Sequence, residues 1–92
     1  GMSVRTSTPE LAERRCVPYE TGVMVSDVAA GSAAELKNMD RGDIITSIER
    51  QPVTSAEDFR RIRDRYLDLG RPVLFLVQSN DGQPRFVALK AR

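Results

Sequence analysis

The sequence predicts an α+β fold that is mainly β, a small and partly open antiparallel β-barrel or sandwich capped by helices. Short apolar segments with a period of two alternate with helical segments along the chain. The connections between them are short, and the last two apolar segments flank a tight Asp-Gly turn. Such connections do not suit a doubly wound parallel sheet, which needs long crossovers.

Length and charge limit the classes of protein to which the chain can belong. A chain of 92 residues with 40% apolar residues fits one domain with a single core. Its 14 basic and 13 acidic residues leave a net charge of +1, too balanced for the phosphate attraction on which nucleic-acid binders depend. We therefore expect no nucleic-acid partner. We expect residues 1–3 to be a tag remnant or a disordered start, and residues 4–92 to form the domain.

The first part of the chain predicts a strand followed by a short helix. Residues Val4–Thr8 can extend as the strand, and the helix is expected over Pro9–Arg15. Thr8 supplies a hydroxyl N-cap, and proline is favoured at the first helical position. We expect Leu11 to be the main inward-facing residue of this helix.

A second strand is predicted over Val23–Val28, because its residues alternate with period two. Val23 and Val25 would share one face, and Met24 and Val28 would share the other with Ser26. Since both faces are partly apolar, we expect the core to cover one side and another element, or a ligand, to cover the other.

The middle of the chain predicts a short helix, a turn and a buried strand. Ser32 is a plausible cap for a helix over Ala33–Lys37, and Asn38 would end it in the left-handed conformation. A strand is expected over Ile44–Ile48, and a second turn over residues 50–52.

The longest helix is predicted from Ala56 to about Leu69, with a hydroxyl cap, an acidic first turn and Gly70 as its stop. Its apolar stripe consists of Phe59, Ile62, Tyr66 and Leu69. Strands are predicted over Val73–Gln78 and Arg85–Leu89, joined by the hairpin turn at Asp81-Gly82.

The residue types argue against catalysis within this chain. It contains no histidine, so neither a Ser-His-Asp triad nor a Cys-His pair can form. Zinc sites lose one of their commonest ligands for the same reason. We therefore expect no enzyme activity, no metal and no cofactor. The single cysteine, Cys16, is expected to be a packing or surface thiol.

Four motifs follow one another along nearly the whole chain: Thr8-Pro9-Glu10-Leu11-Ala12, Gly22-Val23-Met24-Val25, Arg41-Gly42-Asp43-Ile44-Ile45 and Gln51-Pro52-Val53. In this order and spacing they resemble the PDZ domains of bacterial HtrA/Deg-type serine proteases. The resemblance implies a PDZ-like fold and a module that binds C-terminal or extended peptide segments of other proteins by β-strand addition.

By position, the family's carboxylate-binding loop falls on Glu20, Thr21, Gly22 and Val23. Its peptide-binding strand falls on Met24, Val25 and Ser26, so that Val23–Ser26 would be the docking edge. Val23 and Val25 would then point into the pocket for the last side chain of the peptide.

The resemblance also implies that a helix forms the opposite wall of the groove. In one assignment the groove residues are Ala56, Phe59, Arg60 and Arg63, with Phe59 at the floor. Alignment backwards from Gly70 would instead bring Phe59, Arg63 and Tyr66 to the wall. Arg60 or Arg63 could steer a ligand, although acidic residues are interleaved with the arginines of this helix.

The resemblance places the domain in a larger parent protein, a serine endopeptidase whose catalytic residues lie elsewhere. Periplasm or cell envelope is then the expected compartment, and the parent could be membrane-anchored or oligomeric through other domains. Two alternatives stay open. One is an adaptor or secretion-system PDZ domain that holds a folded partner, and the other is a structural domain with no peptide ligand.

Overall fold

The computed structural model describes residues 2–66 and 71–89. An open antiparallel sheet in the order β1-β2-β3-β5-β6 forms the body of the domain, and β4 pairs with β3 beside this path. The strands are β1 Met2–Thr6, β2 Val23–Val28, β3 Ile44–Ile48, β4 Gln51–Pro52, β5 Val73–Gln78 and β6 Pro84–Leu89, and the helices are α1 Pro9–Arg15, α2 Ala33–Leu36 and α3 Ala56–Arg65. The predicted mainly-β antiparallel fold is confirmed.

The structure differs from the predicted elements at the start of β1 and in the presence of β4. Strand β1 begins at Met2 instead of Val4, so Met2 and Ser3 belong to the sheet, and their assignment to a disordered start was wrong. The two-residue strand β4 was not predicted, because it is too short to show a period. The long helix ends at Arg65 with Tyr66 as its C-cap, so its predicted extension to about Leu69 was wrong; Leu69 and Gly70 themselves lie outside the described residues.

Helix α1 covers the outer face of the sheet. Its cap is as predicted, since Thr8 Oγ1 accepts a hydrogen bond from the Leu11 amide at 3.1 Å. The inward residue, however, is Ala12, which is buried against Met24 and Ile44, while Leu11 is only partly buried at the border of this cluster. The prediction for Leu11 was wrong, and the covering of the second face of β2 comes from α1.

The main core lies between the inner face of the sheet and α3. Val23 and Val25 of β2 are fully enclosed there, and Phe59 and Ile62 are the buried residues of α3. At the end of the helix, Tyr66 packs on this core from its border. The apolar stripe predicted for the long helix is thus confirmed as far as Tyr66.

A β-bulge changes the orientation of the end of β2. Ser3 pairs with Asp27 and Val4 with Val25, so Ser26 has no separate partner on β1. One extra residue reverses the alternation of side chains beyond it. Val28 therefore packs on the same core as Val23 and Val25, and its predicted place on the face of Met24 was wrong.

A buried carboxylate joins the turn before β3 to the hairpin before β6. Asp43 is 2% exposed and accepts hydrogen bonds from the amides of Asp40 and Asn80, at 3.0 and 3.1 Å. The guanidinium of Arg85 lies 3.5 Å from the same carboxylate and also donates to the carbonyl of Asn38 at 2.6 Å. Burial raises the pKa of the Asp43 carboxyl above its ordinary value, against the lowering effect of these hydrogen bonds.

Candidate peptide groove

Along Val23–Val25, strand β2 has no free edge. One side of the strand pairs with β1, apart from the bulged Ser26, and the other side pairs with β3 at Val23 and Met24. Further along, the Val25 amide donates to the Asp43 carbonyl at 2.8 Å, and the Val25 carbonyl accepts from the Gly42 amide at 2.9 Å. The predicted docking edge at Val23–Ser26 was wrong, because both of its sides are already occupied by the domain itself.

Strand β1 forms one margin of the sheet, and its register shows which backbone groups face outward. Val25 directs both its backbone groups toward β3, so its partner Val4 belongs to a pair without hydrogen bonds between β1 and β2. The Val4 amide and carbonyl therefore point away from β2. The Ser7 amide donates to the Gly22 carbonyl at 2.9 Å, so by alternation Thr6 also points outward and Arg5 inward.

Helix α3 begins beside this open margin. The Ala56 amide donates to Thr6 Oγ1 at 3.0 Å, which anchors the first turn of α3 to the end of β1. Val4 and Ala56 are both partly buried and pack against the main core. We call the space between the outer edge of β1 and the neighbouring face of α3 the β1–α3 groove, and its apolar border consists of Val4 and Ala56.

The side chains of α3 divide between two sides of the helix. Tyr66 accepts a hydrogen bond from Gln51 Nε2 at 2.8 Å, and Arg65 donates to Oε1 of the same side chain at 3.1 Å, so this side faces β4. Ala56, Arg60 and Arg63 lie together on the other side, at spacings of three and four residues. This distribution favours the first groove assignment over the one that includes Tyr66.

Arg63 lies over the ring of Phe59, with its Cζ atom 5.7 Å from the ring centroid. Its Nη2 atom is 3.4 Å from Oδ1 of the adjacent Asp64, whose side chain is 61% exposed. Among the described residues, the buried Nε atom of Arg63 has no hydrogen-bond partner. Phe59 is buried beneath Arg63 and belongs to the main core.

The residues of the predicted carboxylate-binding loop, 20–23, do not lie beside an open peptide-binding edge. Glu20 and Thr21 are exposed, whereas Val23 is fully enclosed and cannot line an open pocket. Gly22 has φ +150°, and a Cβ there would overlap the carbonyl oxygen of Ile45. Glycine is needed here because the backbones of β2 and β3 approach closely. The loop therefore lacks the free strand edge on which its predicted role depended.

The residues that sequence reasoning missed are Val4 and Thr6. Strand β1 has a weak signal, a short alternation of one valine with polar and charged residues. An exposed charge such as Arg5 is typical of edge strands, which natural proteins protect from unwanted pairing. That signal could have placed β1 at the margin, but its partner helix could be identified only from the tertiary structure.

A second concave surface lies elsewhere on the domain. This cleft of about 460 Å³ is lined by Asp27, Val28, Glu35, Met39, Asp40, Arg41 and Asn80. Its exposed ion pair joins Arg41 and Asp27 at 3.2 Å. Within residues 2–66 and 71–89, the acidic, cysteine and histidine side chains form no group of three that could hold a metal ion. None of the predicted groove residues lines this cleft.

The sheet order, the position of α3 beside a marginal strand and the Gly-Asp turn before β3 define a small, mainly-β class of domain. Residues 24–64 match the family model of the PDZ domain, and the chain belongs to that family. As a PDZ domain it is a non-catalytic module. Across the described segments, no helix combines the length and the apolar character that crossing a membrane requires.

The curated relatives that this chain matches are described as DegP-like proteins. The chain is 33% identical over 91 residues to a probable periplasmic serine endoprotease, DegP-like, of Chlamydia pneumoniae, covering 98% of this chain and 18% of that protein. It is 42% identical over 76 residues to a protein of the same description from Brucella suis, covering 79% of this chain and 15% of that protein. The chain thus spans less than a fifth of the length of these relatives.

Solved structures of HtrA proteins have the same fold. The HtrA-type protease AlgW with a decapeptide matches with a TM-score of 0.77 and 26% identity, over 98% of this chain and 27% of that chain. The HtrA3 PDZ domain bound to the phage-derived ligand FGRWV matches with a TM-score of 0.67 and 24% identity, over 97% and 86% of the two chains. The second similarity concerns the fold alone.

Proposed function

We propose that this domain captures C-terminal or extended peptide segments by β-strand addition to the outer edge of β1, in the β1–α3 groove. The observation that carries the proposal is the outward direction of the Val4 and Thr6 backbone groups at an open sheet margin. An extended peptide can satisfy such groups by main-chain hydrogen bonds.

The surroundings of β1 supply the specificity that such a docking mode needs. Alternate side chains of an added strand would face the same side as Val4, toward α3 and the core. Within the described residues, no strand of the domain pairs with the outer edge of β1, which argues against a purely structural role. The HtrA-type protease AlgW was solved with a decapeptide, which supports the same class of ligand here.

The proposed context is a DegP-like serine endoprotease of the periplasm, in which this domain presents substrate tails to a separate catalytic domain. The descriptions of the relatives support that context. A membrane anchor or an oligomeric parent would depend on other parts of the protein.

The sharpest test removes one outward donor from β1. Val4→Pro eliminates the Val4 amide, which points away from β2, so the pairing of β1 with β2 keeps its hydrogen bonds. Val4→Ala is the control, since it also removes the branched valine side chain and retains the amide. With FGRWV and with peptides selected from a random C-terminal library, we expect Val4→Pro to weaken binding about tenfold relative to Val4→Ala.

Amide chemical shifts followed during the same titration give the location. The proposal expects the largest changes at residues 3–6 and along the α3 side with Arg60, and small changes at Met24–Ser26. A library that yields no binder would refute it, as would equal affinity of the two Val4 variants. Comparison of free-acid and C-terminally amidated peptides distinguishes capture of chain ends from capture of internal segments, the mode of an adaptor.

A further inference from the structure

We infer that the β1–α3 groove selects peptides that bring a carboxylate to Arg63, with Arg60 as the second cation; this inference rests on the proposed function. The two side chains lie on the groove side of α3, one and two turns beyond Ala56, which touches β1. The chemistry they would recognise is a carboxylate, either the peptide's terminal group or an aspartate or glutamate side chain.

Arg63 is held in position to do this. Its guanidinium lies over the ring of Phe59, an arrangement that restricts the side chain before a ligand arrives. A restricted side chain loses less conformational entropy on binding than a free one. The planar guanidinium also offers several donors in a fork that matches a carboxylate.

The donors of Arg63 are incompletely used by the domain. Its Nε atom is buried without a partner among the described residues, and a buried donor left unpaired is unfavourable. Its contact with Asp64 joins neighbouring residues at 3.4 Å and is exposed, so it contributes little and can be exchanged. A peptide carboxylate in a partly desolvated groove would make stronger, charge-assisted hydrogen bonds.

The other arginines of α3 are engaged elsewhere, which makes the groove side distinct. Arg61 pairs with Asp58 at 3.0 Å, and Arg65 donates to Gln51 at 3.1 Å. Arg60 is exposed and adds positive charge one turn before Arg63. The groove side of α3 is therefore cationic although the whole chain carries a net charge of only +1.

The test uses peptides that differ in one charge. Arg60 and Arg63 lie about 6 and 10 Å along the helix from Ala56, a distance that an extended peptide covers in roughly three residues. The probes are variants of FGRWV in which the charge stands at the third or the second position. They are Phe-Gly-Xaa-Trp-Val and Phe-Xaa-Gly-Trp-Val, with Glu or Gln at Xaa. Each is made as the free acid and as the C-terminal amide.

For the wild-type domain we expect about fivefold tighter binding in at least one of two comparisons. One compares the Glu peptide with the Gln peptide, and the other compares the free acid with the C-terminal amide. Arg63→Gln should abolish that preference, and Arg63→Lys, which retains the charge without the fork, should keep part of it. Arg61→Gln is the matched control, because it makes the same charge change outside the groove and should leave the preference intact. The preference should shrink between 50 and 500 mM salt, as the Debye length falls.

The outcomes separate this inference from the proposed function. Peptides that bind at β1 with equal affinity for the Glu and Gln forms and for acid and amide would overturn the inference alone. The same holds if Arg63→Gln and Arg61→Gln reduce the preference equally. Absence of any binding at β1 would overturn both proposals.

Discussion

Strands β1 and β2 are neighbours in the sheet. On the edge away from β1, β2 is paired with β3, whereas within the described residues no strand pairs with the edge of β1 away from β2. Val23, Met24 and Val25 of β2 are almost completely buried, and both edges of the strand are paired along these three residues. On β1, Ser3, Arg5 and Thr6 are exposed and Val4 is partly buried. The more apolar strand therefore serves the core, and the more polar one has backbone groups available to a partner.

This difference shows that availability of hydrogen bonds, more than apolar character, decides where a strand can be added. A buried apolar strand has already used its backbone groups, because unpaired groups in the interior are unfavourable. A margin such as β1 retains them, and its exposed side chains protect it from indiscriminate pairing. If the two strands have these separate roles, variants on β2 should act on stability and variants on the edge of β1 on binding.

The largest effect is expected from Gly22→Ala, at the start of β2. The new Cβ would meet the Ile45 carbonyl oxygen at a backbone φ of +150°, so strain and overlap add. We expect the free energy of unfolding in urea to fall by about 4 kcal/mol. If Gly22→Ala kept normal stability and lost peptide binding, the result would instead support a carboxylate-binding role for the loop at residues 20–23. The proposed division of roles between β1 and β2 would then be wrong.

A smaller effect is expected from truncation of Met24 on β2, which packs in the cluster with Ala12 and Ile44. Met24→Ala should lower the free energy of unfolding by about 3 kcal/mol through the cavity it leaves. Val4→Ala, on a partly buried residue of β1, should lower it by about 1 kcal/mol. Both values can be measured by chemical unfolding, and a larger loss for Val4 would mean that β1 serves the core as much as β2 does.

The smallest effect concerns a backbone donor that a side chain already satisfies. Glu49 Oε1 accepts from the Leu74 amide and from Arg71, both at 3.0 Å, and these hydrogen bonds hold the pKa of Glu49 below its ordinary value. A lowered pKa stabilises the folded state above the ordinary value of 4.5, and this contribution is lost as the pH falls through the folded pKa.

We therefore expect wild type to exceed Glu49→Gln in free energy of unfolding at pH 7 by less than about 1 kcal/mol, and the gap to close near pH 3. Urea unfolding at both pH values measures it. A gap that widens in acid would contradict the assigned direction. The result also sharpens the comparison, because Glu49 does for the Leu74 amide what a bound peptide would do for β1.

Local patterns predicted much of the fold correctly. The bounds of β2, β3 and β5 followed from apolar alternation and from the turn residues between them. The caps of α1 and α3 were recognisable because Thr8 and Ser55 precede helical segments, and their hydroxyl groups accept from the Leu11 and Asp58 amides. Such features depend on residues within a few positions of one another, which a single sequence contains in full.

Sequence by itself determined which main segments become strands and helices and which stripe of α3 is apolar, because periodicity and capping are local properties. The expected single core is instead divided into two clusters, one on each face of the sheet. Only the tertiary structure decided that β2 is interior, that β1 is marginal, that a bulge at Ser26 turns Val28 inward, and that Arg85 reaches Asp43. Those outcomes depend on strand order and register between segments far apart in the chain, and on how the fold distributes a limited set of backbone hydrogen bonds among them.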